Sequence, residues 1–323
     1  MKRIALAAAL MAAYAGSAMA QSSVTLYGRV NTSVEYQDNG VIDKTVMQNN
    51  ASRWGLRGNE DLGGGLSAFF QLESGFGSDN GSGTGGFNRD AYVGIRSNTL
   101  GSIQVGRFIG ELYYGTIDWI GVFNHNTGVT SEDNMYGLDF NVNNAVQYIS
   151  PTFSGFKFSA LAAAGEGTQP KSYEGAVQGD SGPWHAGFGY QETEFVSGAK
   201  RTGFSAAGSY NWGNFTFGLA WNQPDDDVLG SRDHFQGTAM YALGAHEFHL
   251  SLGTTSSWDN LNDSGATQYT LGYNYNLSKR TKLYAFYFAV DNDKNAGYGG
   301  SSAVGAVGDK TFSSFGAGIR HNF

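Results

Sequence analysis

Side chains alternate in character with a period of two along most of this chain. Between positions 24 and 36, Val24, Leu26, Val30, Val34 and Tyr36 share one parity. Thr25, Tyr27, Arg29, Asn31, Ser33 and Glu35 share the other. Period two places the two sets on opposite faces of a β-strand, one apolar and one hydrophilic. The pattern returns. Trp54 and Leu56 oppose Arg53 and Arg57; Leu66, Ala68, Phe70 and Leu72 oppose Ser67, Gln71 and Glu73, with Phe69 out of step. Ala91, Val93 and Ile95 oppose Asp90, Tyr92 and Arg96, and Tyr269, Leu271, Tyr273 and Tyr275 oppose Gln268, Thr270, Asn274 and Asn276.

Turn signals divide the chain at alternately short and long intervals. Short turns are expected near 61–65, 97–101, 150–155, 179–183, 212–214, 244–247 and 278–280. Long loops are expected at 38–49, 75–87, 108–141, 165–171, 193–201, 223–231, 255–265 and 291–310. These separate sixteen strands, each with room for the ~10 residues that cross a bilayer at barrel tilt. Short turns on one side and long loops on the other distinguish a membrane barrel from a sandwich, which has no reason to sort its connections. Aromatic residues near strand ends (Tyr27, Tyr36, Phe156, Phe158, Tyr284, Phe286, Phe288 and Phe323) read as interfacial girdles. The expected fold is an all-β, 16-stranded antiparallel transmembrane barrel, apolar outside and wet inside.

Composition narrows the setting. Lys2 and Arg3 precede an apolar run over 4–15, and Ala18-Met19-Ala20 is a small-x-small cleavage site. Residues 1–20 therefore read as a cleaved export signal and 21–323 as one barrel domain. No later run approaches the ~20 apolar residues of a membrane helix. The chain has no cysteine, so no disulfide framework supports it. Without Lys2 and Arg3, 18 basic residues face 28 acidic ones, which argues against nucleic acid as a partner.

The segments Ser22-Ser23-Val24-Thr25-Leu26-Tyr27-Gly28 and Ser52-Arg53-Trp54-Gly55-Leu56-Arg57-Gly58-Asn59-Glu60-Asp61-Leu62-Gly63-Gly64-Gly65-Leu66 resemble the first strands of Gram-negative general porins of the beta-proteobacterial type. Asn88-Arg89-Asp90-Ala91-Tyr92-Val93-Gly94, Ser150-Pro151-Thr152-Phe153-Ser154-Gly155-Phe156, Leu277-Ser278-Lys279-Arg280-Thr281 and Gly318-Ile319-Arg320-His321-Asn322-Phe323 match further segments of that family in order. The middle third, around 169–258, is only generically similar. The resemblance implies a homotrimer in the cell outer membrane, in contact with lipid bilayer and lipopolysaccharide, with the third long loop folded inward. It also implies that Phe323 is read by the barrel-assembly machinery, and that the solutes are small and hydrophilic.

The third loop, 108–141, carries Glu111, Asp118, Glu132, Asp133 and Asp139 and no Lys or Arg. A loop of that length is usually functional. Folded inward, its acids would face the lumenal wall bearing Arg29, Arg53 and Arg57, and opposed charges across a narrow gap set ion selectivity. Arg53 and Arg57 stand ~13 Å apart along their strand and cannot share one ring. Parity leaves two registers open, Arg53 beside Glu35 or Arg57 beside Arg29. Some family members carry bases on the fourth strand and ahead of the Asn-Asn pair opening the sixth; here those places hold Asp90 and Asn141-Val142. A weak cation preference is the resulting expectation.

Other chemistries fail on spacing. His246 and His249 are an odd number apart, hence on opposite faces of a strand, so no metal site or cofactor is expected. The Gly-rich stretch 81–86 follows a strand but opens no helix, and no Gly-x-Ser-x-Gly elbow occurs, so no enzyme is expected. Asp225-Asp226-Asp227 reads as a solvated loop tip. The alternatives to a diffusion pore are a secreted lectin-like sandwich, a non-conducting barrel serving as an adhesin, and a substrate-specific channel. The last would use an aromatic slide, for which Tyr113, Tyr114, Trp119 and Phe123 are candidates.

Overall fold

The computed structural model describes residues 23–83, 85–121 and 132–323. The export segment 1–20 and Phe123 lie outside the described residues, as does the side chain of Glu132.

The strand segments run β1 (Ser23–Asp38), β2 (Asp43–Asn49), β3 (Arg53–Gly63), β4 (Leu66–Gly75), β5 (Ala91–Ser97), β6 (Gly101–Ile109), β7 (Asn141–Ile149), β8 (Phe156–Ala163) and β9 (Lys171–Ser181). They continue as β10 (Trp184–Glu194), β11 (Lys200–Trp212), β12 (Phe215–Asp226), β13 (Gly230–Ser231), β14 (His234–Leu243), β15 (His246–Thr255), β16 (Ala266–Asn276), β17 (Thr281–Asn292) and β18 (Thr311–Asn322). Each pairs antiparallel with its neighbours, and β1 pairs with β18, so the sheet closes. Because β2 and β3 both pair β1, and β13 and β14 both pair β12, the segments make 16 crossings. Closure removes the sheet edge that lipid could not satisfy.

The alternation read from the sequence is the wall itself. Along β1, Val24, Leu26, Val30, Val34 and Tyr36 are exposed on the outer face. Asn31, Ser33, Glu35 and Gln37 are buried inside. A soluble protein does the reverse; apolar out and polar in is stable only against hydrocarbon. The inward polar groups are paired: the Glu35 carboxylate accepts from Ser33 Oγ at 2.6 Å, Gln37 Nε2 at 2.7 Å and Ser314 Oγ at 3.0 Å. His246 and His249 do fall on opposite faces, His246 bonding outward-facing Tyr273 and His249 lying buried in the lumen beside Glu247.

Three expectations need correction. Residues 43–49 are not loop but strand β2, so the first hairpin turns over 39–42 alone. The pairing then shifts at the break 50–52, where Ala51 has φ of 53°. Neither register left open by parity occurs: Arg29 faces Arg53, Thr25 faces Arg57, and Glu35 faces Val46. The girdle assignment requires an exposed ring, which Tyr36, Phe156, Phe158 and Phe323 have. It fails for Tyr27, whose hydroxyl bonds Glu73, and for Tyr284, Phe286 and Phe288, which are buried.

Those inward aromatics are covered by the eighth loop, residues 293–310, which folds into the barrel mouth. Val304 is fully buried in a cluster with Phe286, Phe288, Phe312 and Met135. Asn39 Nδ2 donates to the Gly305 carbonyl at 2.8 Å, and Lys44 Nζ to that of Ala303 at 3.1 Å, tying the loop to the first hairpin. Deleting 299–306 would uncover this cluster, at a cost of about 1.5–3 kcal/mol for each large side chain re-exposed. Lower thermal stability together with a larger single-channel conductance is expected, checked by melting curves and bilayer recording.

Candidate functional site

The third loop leaves β6 at Gly110 and enters a one-turn helix, α1 (Glu111–Gly115). It returns through a 3-10 turn, Glu132–Met135. Its apolar side chains Leu112, Tyr113, Ile117, Ile120, Tyr136 and Leu138 are buried together, packed on inward-facing Ala176, Ala207 and Ala220. The loop therefore lies inside the barrel, on the wall formed by β9 to β12.

Small residues on that wall make the footprint. A Cβ on Gly187 would stand 1.9 Å from the Gly115 carbonyl oxygen, and one on Gly218 would stand 2.8 Å from Ile120 Cβ. Lumenal polar groups then fasten the loop. Glu174 Oε1 accepts from the Leu112 amide at 2.9 Å, and Trp119 Nε1 donates to Ser209 Oγ at 3.0 Å. Thr238 Oγ1 donates to the Ile120 carbonyl at 2.8 Å, and Gln191 Nε2 to that of Asp139 at 2.6 Å. Asn222 donates to the Tyr136 carbonyl, and burial raises the pKa of the Tyr136 phenol, which stays neutral. At the far end Arg232 Nη2 donates to the Met135 carbonyl at 2.8 Å, its guanidinium held near the rings of Trp258 and Tyr298.

Among the described residues, Glu111, Asp133 and Asp139 have partners on the loop or on the wall behind it. Glu111 pairs with Lys157 on β8 at 2.7 Å and accepts from Gln178 Nε2 at 2.8 Å, so its charge is spent on the wall behind the loop. Asp133 accepts from Tyr113 Oη at 2.6 Å, and the backbone of Asp139 is clasped by Gln191. Asp118 lies within electrostatic reach of Tyr114.

The opposite face is basic. Arg29 and Arg53 stand directly across from one another on β1 and β3. Arg29 also lies within electrostatic reach of Arg89 and Arg320. Glu73 on β4 is shared by Arg53, at 3.6 Å, by Arg89, and by Tyr27 Oη at 3.0 Å. Asp90 accepts from Gln71 Nε2 at 2.6 Å. Arg57 is exposed over the Tyr27 ring, four residues nearer the short-turn end, and takes no part in this cluster.

Of the residues expected at the constriction, Arg29, Arg53 and Asp90 come together here, joined by Glu73, Arg89 and Arg320, which were not among them. Glu73 already lay on the polar parity, and Arg89 adjoined Asp90 in a quoted segment. Arg320 could be assigned only once β18 was known to pair with β1, which puts it opposite Asn31. What results is a lumen bounded by the third loop on one side and arginines on the other.

A sequence-family profile described as Gram-negative porin matches residues 5–295. An outer membrane porin protein of Bordetella pertussis is 30% identical, with all of both chains covered. Outer membrane porin protein 32 of Delftia acidovorans is 31% identical, again over the whole of both. Among solved structures, an anion-selective porin from Comamonas acidovorans superposes with a TM-score of 0.78 at 28% identity, covering 94% of this chain and 100% of that one.

Proposed function

The chain belongs to the family of Gram-negative porins and is an outer-membrane channel rather than an enzyme, and on that premise we propose a water-filled pore for passive diffusion of small hydrophilic solutes that favours anions. The observation that carries the preference is the convergence of Arg29, Arg53, Arg89 and Arg320 on one side of the lumen. Among the described residues, Arg29 Nη1 and Arg320 Nε have no hydrogen-bond partner although both atoms are buried. Guanidinium groups held with unspent donors present a positive potential to the passage. Glu73 offsets part of it, paired with Arg53 and Arg89, while Glu111 of the third loop is paired with Lys157. The similar Comamonas porin being described as anion-selective supports the same sign.

The weak cation preference expected from Asp90 and Asn141-Val142 weighed two departures from the family but not Arg89 or Arg320. Selectivity follows the charges lining the narrow passage, so the formal excess of acids over the whole chain does not decide it. The test is the zero-current potential of the purified protein in a planar bilayer under a KCl gradient. Anion preference gives the sign set by chloride; the potassium sign overturns the proposal.

Export through a cleaved signal over 1–20 and assembly as a homotrimer in contact with lipopolysaccharide belong to the same proposal. So does recognition of Phe323 by the barrel-assembly machinery. The Phe323 amide donates to the Gly28 carbonyl at 3.0 Å, and Gly28 donates back to the Phe323 carbonyl at 3.0 Å, closing the barrel seam. The Phe323 ring lies over Gly28, where a Cβ would meet it at 2.4 Å. Phe323→Ser should sharply lower the amount of heat-modifiable barrel in the outer membrane while detergent refolding in vitro is little changed. Equal loss in both settings would assign Phe323 to stability instead.

A further inference from the structure

The described part of the third loop buries nearly all its large apolar side chains: Leu112, Tyr113, Ile117, Ile120, Met135 and Tyr136 are each at most 3% exposed. Two rings break this rule, Tyr114 at 36% and Trp119 at 45%. Both belong to a loop inside the barrel, so their exposed faces meet lumenal water and not lipid. Exposed aromatic surface in water is unfavourable, and it is kept here in a rigid form. Trp119 stacks on His185, ring centroids 3.7 Å apart and planes at 15°, with its Nε1 hydrogen tied to Ser209. One face of the indole is thereby covered and the other is left to the passage. Tyr114 is packed edge-on to Tyr113, with centroids at 5.9 Å. It lies within electrostatic reach of Asp90, Asp118 and Glu73, and of Arg53 and Arg89, which Glu73 joins.

A fixed ring face beside a cluster of guanidinium groups matches a solute with the same two parts. We propose that the constriction binds planar aromatic carboxylates in transit. The solute ring stacks on Tyr114, and its carboxylate is paired by the partly exposed guanidinium groups of Arg53 and Arg89. Ring-to-ring contact supplies the preference, since offset or edge contacts between aromatic groups add to simple area burial. Planar guanidinium groups supply the carboxylate recognition, two parallel donors to two oxygens. The inference deepens the anion-favouring pore and rests on it.

The test compares benzoate with cyclohexanecarboxylate as blockers of chloride current through single channels of the full-length protein in KCl. The two anions share charge and carbon count, and the saturated one is the more apolar, so a merely greasy site would favour it. The expected result is half-block by benzoate at about one-fifth the concentration needed for cyclohexanecarboxylate. Tyr114→Leu should narrow that gap, whereas Tyr114→Phe, which keeps the ring, should retain it. Equal block by the two anions, or tighter block by the saturated one, overturns the inference even if no variant can be folded. A gap that persists undiminished in Tyr114→Leu overturns it as well. The zero-current potential in the same recordings keeps the two readings apart. A chloride sign with no benzoate preference leaves the anion-favouring pore standing and removes only the aromatic site. A potassium sign removes the pore reading on which that site rests.

Discussion

Replacing Arg29 and Arg53 together by Glu will invert the ion preference of the channel. The two face each other across neighbouring antiparallel strands, where opposed Cβ atoms stand about 4.5–5.5 Å apart. Like charges at that spacing repel by roughly 1–3 kcal/mol at effective dielectric constants between ~80 and ~20. Such repulsion is retained where the charge has a use, and here Glu73, at 3.6 Å from Arg53, and Asp90 offset it in part. The double substitution changes the local charge by four units. Four units acting over ~5 Å in a watery lumen amount to about 3 kcal/mol before salt screening, which a Debye length of ~10 Å at 0.1 M reduces but does not remove. An anion-to-cation permeability ratio changed by about tenfold or more is expected, read as a reversed sign of the zero-current potential. The same sign in the variant would mean that these arginines do not line the passage.

The second large effect is expected at a residue with no side chain. Gly187 faces the lumen on β10, and a Cβ there would stand 1.9 Å from the carbonyl oxygen of Gly115. The obstacle is backbone, which cannot swing aside as a side chain can. Gly187→Val should therefore lift the third loop from its wall and disturb the packing of Leu112, Ile117 and Ile120. Each of these contributes about 1.5–3 kcal/mol when fully buried. The barrel ladder itself is untouched, so heat-modifiable barrel should still form. Displaced toward the arginines, the loop should reduce single-channel conductance by about half or more and add flicker on the microsecond-to-millisecond scale of loop motion. Gly175→Ala on β9 is the matched control, since a Cβ there meets nothing within 4 Å. Normal conductance in Gly187→Val would show that the loop does not rest on this wall.

Much of the barrel was legible because a strand's period of two is read directly off residue order. Trp54 and Leu56 outward, Arg53 and Arg57 inward, required no knowledge of the rest of the chain. The register was not legible, for a physical reason. Above the membrane both faces of a strand are wet, so Asp43–Asn49 loses the alternation and looks like loop while still pairing with β1. The break at Ala51 then moves the pairing by one residue, a change that composition does not announce.

The inward aromatics failed for the opposite reason. Phe286 and Phe288 sit on the lumenal parity because a distant segment, the eighth loop, supplies their apolar cover. Parity also could not decide which wall the third loop would rest on, and with it the fate of Glu111. Yet a signal existed. Gly187, Gly189, Ala207, Gly218 and Ala220 put small residues on the lumenal parity of consecutive strands, where unobstructed strands carry polar side chains. A run of this kind marks the place where another segment lies flush against the sheet.

That the third loop stands inside an open lumen, with Tyr114 bordering the passage, can be tested most directly by single-thiol labelling. The sequence contains no cysteine, so Tyr114→Cys and Val93→Cys each introduce one thiol. Val93 is exposed on the outer, lipid-facing wall. A charged thiosulfonate reagent added to the aqueous phase during bilayer recording should lower the current through Tyr114→Cys in discrete, irreversible steps and leave Val93→Cys unchanged. An unreactive Tyr114→Cys channel, or an equal loss of current at Val93→Cys, would contradict this placement of the loop.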